Sequence, residues 1–558
     1  MQKLIECVPN FSEGKDMTII QAIANAIKAV SGVSLLDIDP GISTNRTVVT
    51  FVGDPDSVIE AAFQAIKTAA QLIDMRKHKG EHPRMGATDV CPLVPISNVT
   101  KEEAIEYAHK LAKRVGEELN IPVYLYEFAA QSSQRQNLAD IRAGEYEGFK
   151  EKILLPEWKP DYGAAVYNET AGQTVIGARD FLVAYNVNLN TKSVKRANAI
   201  AFDIREKGRG KTLSGEPVLD ENGEQIRIPG NCKFVKAIGW YVAEYGIAQV
   251  SANLTNIVET PVHVVFDAAV KSAFDRGLRV TGSELVGLIP KKCLTDAGKY
   301  FLEKQQLSAG QSEEELIHIA VKSLGLADLK PFNPHEKIIE YKLETSNSAL
   351  TDLTIKDFVN LTASDAPAPG GGSIAALAGA LGASLGAMVA NLSIGRKGLE
   401  DKWKFYSDWA VVGQGLKERL LFYINEDTNA FNKVMEAFRL PKNTPEEKVA
   451  RKQAIQQANK YATQIPFQVI QTAFEAYPLL ETMIKEGNPN SITDAGVGAL
   501  CIHTAIEGAA LNVLINIGSI EDEAFTSHLK KEVASIRELS TQRKQAILDF
   551  VEGKIAVS

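Results

Sequence analysis

Residues 329–348 read LKPFNPHEKIIEYKLETSNS, and this stretch divides the chain into halves of different periodicity. Two prolines, mixed charge and no sustained apolar repeat make 329–348 a linker. Upstream, LIECVPNF, VSLLDID and RTVVTFVG read as strands, and amphipathic helices fit from about Met17 to Val30 and from Pro55 to about Met75. That alternation predicts an α/β half. From Thr354 onward helix follows helix without an alternating strand, which predicts an all-α helical bundle domain at 349–558.

The α/β half carries a weak internal repeat. RTVVTFVGDPDSVIEAAFQAIKTAA followed by MGATDVCPLVPI describes strand, helix, strand; AQVSANLTNIVETPVHVVFDAAVKSAFDRG followed by VTGSELVGLIPK describes the same order. Any two α/β units share such a pattern, but a true duplication gives two similar α/β subdomains, 1–180 and 181–328, with a cleft between them as the natural ligand site.

The chain has 558 residues, more than one hydrophobic core usually serves. Its net charge of −8, from 61 basic and 69 acidic residues, argues against a nucleic-acid partner. The 5 cysteines are scattered and form no C-x-x-C pair, so neither a disulfide framework nor a metal site is expected, and a reducing, cytoplasmic location is. The opening MQKLIECVPNFSEG lacks a signal-peptide shape. Ala366–Gly395 contains 30 residues without a charge. Its large apolar residues, Ile374, Leu377, Leu381, Leu385, Met388, Val389 and Leu392, fall on one helix face, opposite Ala, Gly and Ser that admit another helix closely. A buried helix is expected there, not a membrane span.

Candidate chemistry concentrates in five places. HKGEHPRMGATD, His78 to Asp89, is a loop before a strand and holds His78, Glu81, His82, Arg84 and Asp89; histidine is suited to proton transfer near neutral pH, although a solvated polar loop has the same composition. DIDPGISTNRTVVT places Asp39, Asn45 and Arg46 around a turn, able to orient a carboxylate or imidazole, or simply to make the turn. In KPDYGAAVYNETAGQTVIGARDFL, glycines 163, 172 and 177 allow close backbone approach to a ligand. APAPGGGSIAALAGALG sets consecutive glycines before a helix. In NEDTNAFNKVMEAFRLPK, Asp427 shares a helix face with Phe431, Val434 and Phe438. Asp494 and the His503–Glu507 pair are further polar residues in an apolar stretch.

LIECVPNFSEG, DIDPGISTNRTVVTFVG, KHKGEHPRMGATDVCPLVPI, RAGEYEGF and GARDFLVAYNVNL together resemble the formimidoyltransferase family. APAPGGGSIAALAGALGA, DTNAFNKVMEAFRLPKNTPEE and AALNVLINIGSIEDEAF resemble the cyclodeaminase family, in the order found in the fused, bifunctional enzymes. The resemblance implies two steps of histidine breakdown. The formimino group of N-formimidoyl-L-glutamate passes to N5 of tetrahydrofolate, and the 5-formimino product then closes onto N10, releasing ammonia and giving 5,10-methenyltetrahydrofolate. It implies His82 as the transferase base and Asp427 as the cyclodeaminase acid/base. The folate contacts it implies are Gly163, Ala164, Ala165, Val166, Tyr167, Asn168, Glu169, Thr170, Ala171, Gly172 and Gly230. Asp39, Asn45, Arg46 and Arg84 stand as supporting residues. Tetrahydrofolate, polyglutamylated, enters as co-substrate with no metal, and a homo-oligomer with dimeric cyclodeaminase domains is expected. The segment KTLSGEPVLDENGEQIRIPGNC, read as a hairpin turning at Glu221-Asn222-Gly223, departs from the animal pattern and bears on Gly230. A methenyltetrahydrofolate cyclohydrolase or formyltransferase-like activity needs similar residues, and a non-catalytic scaffold is the reading outside enzymes.

Overall fold

The computed structural model describes residues 3–42, 44–80, 82–343 and 349–556; Glu81 and the last residues of the linker lie outside them. The chain forms two compact units, 1–297 with 321–344, and 298–320 with 345–558.

The first unit begins with β1 (Leu4–Cys7), β2 (Asn10–Phe11), α1 (Met17–Lys28), β3 (Val33–Gly41), β4 (Arg46–Gly53), α2 (Pro55–Leu72) and β5 (Thr88–Ser97). β3 pairs with β4, β4 with β1 and β2, and those two with β5, all antiparallel. α3 (Lys101–Glu118), β6 (Val123–Glu127), α4 (Leu138–Ile141), α5 (Glu145–Lys152) and β7 (Thr174–Ala178) extend this sheet, β7 lying parallel between β5 and β6. Helix starts follow from local chemistry: Asp54 caps α2 through Ser57 N–H at 3.1 Å, with Pro55 in the first turn, and Thr100 and Glu103 form a reciprocal capping box on α3. The apolar faces of these helices bury Ile59, Phe63, Ile66 and Leu111 against Ile5, Phe51, Val123 and Ile176 of the sheet.

The same order then recurs. β8 (Val183–Leu189) and α6 (Val194–Ile204) are followed by four short strands, β9 (Arg209–Gly210), β10 (Thr212–Leu213), β11 (Glu216–Pro217) and β12 (Arg227–Ile228). After them come β13 (Val235–Val242), β14 (Ile247–Leu254), α7 (Val262–Phe274) and β15 (Val280–Val286). Their sheet runs β13-β14-β8-β15, antiparallel throughout. Each half of the unit is thus a βαββαβ module with matching strand order, and the two segments that repeat in sequence are its β4–α2–β5 and β14–α7–β15 parts. The turn expected at Glu221-Asn222-Gly223 is present, but the four short strands are not one hairpin: β10 pairs β11 across an earlier turn at Ser214-Gly215, and β9 pairs β12. Leu219 bridges Gln225, Gly223 takes φ +81°, and Asp220 Oδ1 accepts the Asn222 and Glu224 N–H groups at 2.9 Å.

α8 (Lys291–Lys304) and α9 (Glu313–Leu324) run across the division between the units, and α10 (Pro334–Lys337) and α11 (Ile339–Leu343) belong to the first. The second unit is all-helical beyond the linker: α12 (Ile355–Thr362), α13 (Gly371–Asn391), α14 (Trp403–Arg439), α15 (Pro445–Phe474), α16 (Tyr477–Glu486), α17 (Ile492–Asn516) and α18 (Glu523–Ile555). α13 is its central helix, and it buries the small face. Gly379 lies against Leu420 and Ala505, Gly382 against the Gly498 carbonyl, and Gly386 against Leu479. Ile374, Leu381, Met388 and Leu392 of the large apolar face are 38%, 53%, 36% and 51% exposed. Gly371–Asn391 and Pro489–Ser519 are the two stretches among the described residues long and apolar enough to cross a membrane, and both pack within the bundle through Ala and Gly.

Candidate active sites

The first site gathers around the loop between α2 and β5. Arg46, at the start of β4, donates a guanidinium N–H to His82 Nε2, and His82 Nδ1–H donates to the Pro83 carbonyl at 2.7 Å. The ring is therefore a neutral Nδ1–H tautomer whose basic lone pair is on Nε2. Burial, then the positive charges of Arg46 and Arg142, hold its pKa down to about 2. Burial and the facing Arg142 also pull Arg46 down to about 10, against the attraction of Asp89 and Asp39.

The remaining expected residues of this loop are its frame. Asn45, at φ +47°, accepts from Gly14 N–H at 3.0 Å and donates to the Lys79 carbonyl at 2.9 Å, fixing two loops at once. Arg84 Nε donates to His78 Nδ1 at 3.3 Å, so His78 Nε2–H donates to the Asn45 carbonyl at 2.8 Å. The Arg84 fork is taken by Glu145 at 2.8 Å and by Glu147 at 2.6 Å and 2.8 Å, which commits it to positioning the loop. Asp39 Oδ2 accepts from Gly287 N–H at 3.1 Å, joining the two βαββαβ modules beside Arg46. Fully buried Asp89 is paired with Arg142 and accepts from Met85 N–H at 3.1 Å. Arg142, Glu145 and Glu147 all come from the RAGEYEGF segment. Their positions in the site depend on the chain's return past the sheet and carry no local signal.

The Gly163–Gly172 loop is stitched to the His82 loop by backbone hydrogen bonds: Met75 N–H to the Thr170 carbonyl at 2.9 Å, Ala87 N–H to Ala171 at 2.8 Å, and Gln173 N–H to Met85 at 3.3 Å. The crossing requires glycine on both sides. A Cβ on Gly172, whose φ is +69°, would stand 2.6 Å from Gly86 Cα, and one on Gly86 would stand 2.7 Å from the Ala171 carbonyl. Asn168 Oδ1 gathers the Thr170 and Ala171 N–H groups at 3.2 Å and 2.9 Å, while Tyr167 donates to the Tyr146 carbonyl at 3.1 Å. Gly163, Ala164, Ala165 and Val166 are exposed, a backbone surface open to a ligand. Gly230 sits at the base of the hairpin, with the Arg205 and Asp203 carbonyls against its α-carbon. Sequence reasoning also missed a buried polar sheet face in the second module. Gln249 donates to Asn188 at 2.8 Å and Glu284 at 3.1 Å, Tyr245 donates to Glu284 at 3.1 Å, and Trp240 donates to Gln249 at 3.1 Å.

The second site is in the helical unit, around Asp427 on α14. Its Oδ2 accepts the Ser373 N–H at 3.0 Å in the first turn of α13, and Ser373 Oγ lies 3.3 Å away. Burial pushes the Asp427 pKa up, against the pull of the Ser373 hydrogen bonds. A cavity of about 540 Å³ opens here. It is lined by Gly370, Gly371, Asp427, Phe431, Val434 and Phe438 and by Asn512 and Asn516 of α17, so the apolar face read from sequence is a cavity wall. Asn512 and Asn516 each give one N–H away, to the Gly508 and Ala462 carbonyls at 2.9 Å. A basic hollow lined by Lys442, Lys448, Arg451 and Lys452 shares Ile455 and Gln456 with this cavity. His503 and Glu507 are directed elsewhere, to Ser540 at 3.0 Å and Arg537 at 3.0 Å. Among the described residues no group of three or more His, Cys, Asp or Glu is placed to hold a metal.

Comparison with known proteins covers both units. Family models match at residues 4–179 (formiminotransferase domain, N-terminal subdomain), 184–344 (formiminotransferase domain) and 354–535 (formiminotransferase-cyclodeaminase). The formimidoyltransferase-cyclodeaminase of Mus musculus is 42% identical over 557 residues, covering 99% of this chain and 100% of the relative. Glutamate formimidoyltransferase of Streptococcus pyogenes serotype M1 is 44% identical over 303 residues, 54% of this chain and 94% of the relative. Methenyltetrahydrofolate cyclohydrolase of Methylorubrum extorquens is 39% identical over 202 residues, 36% of this chain and 97% of the relative. With both sites present and relatives aligned end to end, the chain belongs to the formimidoyltransferase-cyclodeaminase family.

Proposed function

We propose that the first unit transfers the formimino group of N-formimidoyl-L-glutamate to N5 of tetrahydrofolate, and that the second closes 5-formimidoyltetrahydrofolate to 5,10-methenyltetrahydrofolate with loss of ammonia. In the first step N5 attacks the formimino carbon, and a base removes the N5 proton as glutamate leaves. His82 is that base. While Arg46 donates to its Nε2 the ring is a poor acceptor; a substrate carboxylate draws the guanidinium off and frees the lone pair. Arg84 and Arg142 already hold carboxylates, whereas Arg46 holds an imidazole, which makes Arg46 the arginine available to the amino-acid substrate. The exposed backbone of 163–166 and the turn ending at Gly172 receive the folate. General base help of this kind is worth roughly 10²–10⁴-fold.

The observation that carries the second step is the buried carboxyl of Asp427 in a cavity with two phenylalanines and three asparagines. The formimino group enters protonated, as an amidinium; the N10 nitrogen attacks its carbon and the N10 proton goes to Asp427. That proton then goes to the exocyclic NH2, whose bond to carbon breaks to release ammonia while the methenyl cation forms. A carboxyl with a raised pKa suits both transfers. The phenylalanines suit a pterin face, and the asparagine amides suit its hydrogen-bonding edge. The neighbouring lysines and arginine suit the carboxylates of a polyglutamate tail.

The exposed apolar residues Ile374, Leu381 and Met388 of α13 and Val497, Leu500 and Leu511 of α17 support dimeric helical units within a homo-oligomer. The free cysteines, with the Cys7 and Cys91 thiols hydrogen-bonded at 3.5 Å, support a reducing cytoplasm. A cyclohydrolase reading of the helical unit is favoured by its likeness to the Methylorubrum extorquens enzyme. Supplying N-formimidoyl-L-glutamate and tetrahydrofolate separates the readings. Equimolar glutamate, ammonia and methenyl product are expected, and glutamate release with 5-formimidoyltetrahydrofolate accumulating and no ammonia would overturn the deaminase assignment.

A further inference from the structure

A carboxyl that accepts a proton and returns it needs partners for both of its states. Ser373, fully buried, makes three hydrogen-bond contacts around Asp427. Its N–H donates to Asp427 Oδ2 at 3.0 Å, its Oγ lies 2.8 Å from the Ile424 carbonyl, and the same Oγ lies 3.3 Å from Asp427 Oδ2. A hydroxyl has one hydrogen and two lone pairs, so it donates to one of these oxygens at a time. With Asp427 ionised, the hydrogen turned toward Oδ2 adds a second donor to the carboxylate. With Asp427 protonated, the hydrogen turned toward Ile424 leaves an Oγ lone pair to accept the carboxylic O–H.

We infer that Ser373 is a positioning residue whose hydroxyl turns with the protonation state of Asp427, so that one carboxyl acts as base and then acid without leaving its place. The inference rests on the cyclodeaminase reading of this site. The charged groups around Asp427 are engaged elsewhere. On its own helix Glu426 takes the Tyr461 hydroxyl and faces Lys433 at 3.6 Å. On α15, Lys460 pairs with Asp522 at 2.7 Å, and on α17, Glu507 pairs with Arg537. The first turn of α13 offers glycine and serine alone, and the cationic Lys448, Arg451 and Lys452 line the adjoining hollow. Burial raises the Asp427 pKa, and the Ser373 hydroxyl and backbone N–H oppose it, the hydroxyl being the one of the two that can turn.

The test uses the full chain and supplied 5-formimidoyltetrahydrofolate. Ser373→Ala is expected to lower kcat for cyclisation roughly tenfold or more, with KM little changed, since hydrogen bonds to charged groups are the strong ones. Its acid limb should move to higher pH by about one unit, because the lost donor to the charged form outweighs the lost acceptor of the neutral one. Ser373→Thr, which keeps the hydroxyl, should restore rate and limb. Helical content and thermal unfolding report that the helical unit of each variant is folded, and glutamate release by the transferase step reports the first unit. Wild-type kcat and an unmoved limb in Ser373→Ala overturn the inference, as does a Ser373→Thr variant as impaired as alanine. Absence of ammonia release from the wild-type chain overturns the cyclodeaminase reading itself, and the inference with it.

Discussion

Gly372→Ala isolates the seat of the Asp427 carboxyl. Gly372 lies within the first turn of α13 and needs no left-handed conformation, so alanine suits its backbone and favours the helix by about 0.5–1 kcal/mol. The obstacle is local. A Cβ there would stand 2.5 Å from Asp427 Cγ and 2.7 Å from Oδ2, and closer still to Oδ1. Helix backbone does not yield easily, so the carboxyl must turn away from the Ser373 N–H. Overpacking of this kind costs about 1–3 kcal/mol, which the helix gain partly offsets, leaving a melting shift of a few degrees. Catalysis loses far more, because a misplaced acid/base group forfeits most of its roughly 10²–10⁴-fold contribution. The assay supplies 5-formimidoyltetrahydrofolate and follows ammonia and methenyl absorbance, with glutamate release from the transferase step as the internal control. The expected result is a fall of about 10² or more in cyclisation with the transferase unchanged. A folded Gly372→Ala protein that cyclises at the wild-type rate refutes the reasoning.

Other substitutions probe the first unit. His82→Ala should abolish glutamate release while leaving cyclisation of supplied 5-formimidoyltetrahydrofolate nearly intact; loss of both in a folded protein counts against separate sites. Arg46→Gln should raise the His82 pKa, so the acid limb of the transferase pH profile should move up from its depressed position; an unmoved limb would show that Arg46 does not mask the base. Glu6 is buried and its carboxyl is pushed up to about 7 by burial, with Arg179 opposing. A folded value above the unfolded 4.5 makes its contribution fully present below pH 4.5 and progressively lost toward pH 7, a loss on the order of 3 kcal/mol. Glu6→Gln should therefore gain thermal stability relative to wild type as pH rises from 4.5 to 7; a pH-independent difference would contradict the shift.

Where periodicity and composition carry information locally, the sequence is legible. The repeated strand–helix–strand segments become equivalent parts of two βαββαβ modules, and the Asp427, Phe431, Val434, Phe438 spacing becomes one wall of a cavity. Periodicity also identified the two faces of α13, but not which is buried. Gly379, Gly382 and Gly386 let neighbouring helices reach its backbone, so the small face is the inner one; Ile374, Leu381, Met388 and Leu392 turn outward while Val389 is buried. The helical run 298–320, continuous in sequence with the α/β half, groups with the helical unit, because a helix's period does not say what its face packs on. Partners at long range were the least legible. Arg142 meets Asp89, Glu145 and Glu147 meet Arg84, and Ser373 meets Asp427 only after the chain has folded, across separations that carry no spacing rule.

The central claim is one chain with two separate sites acting in succession, and Asp427→Asn tests it most directly. Asparagine keeps the size and an acceptor for the Ser373 N–H but cannot exchange a proton near neutral pH. Given N-formimidoyl-L-glutamate and tetrahydrofolate, the variant should release glutamate at the wild-type rate, accumulate 5-formimidoyltetrahydrofolate, and form neither ammonia nor the methenyl product. Normal methenyl formation with ammonia release by a folded Asp427→Asn chain would contradict the account.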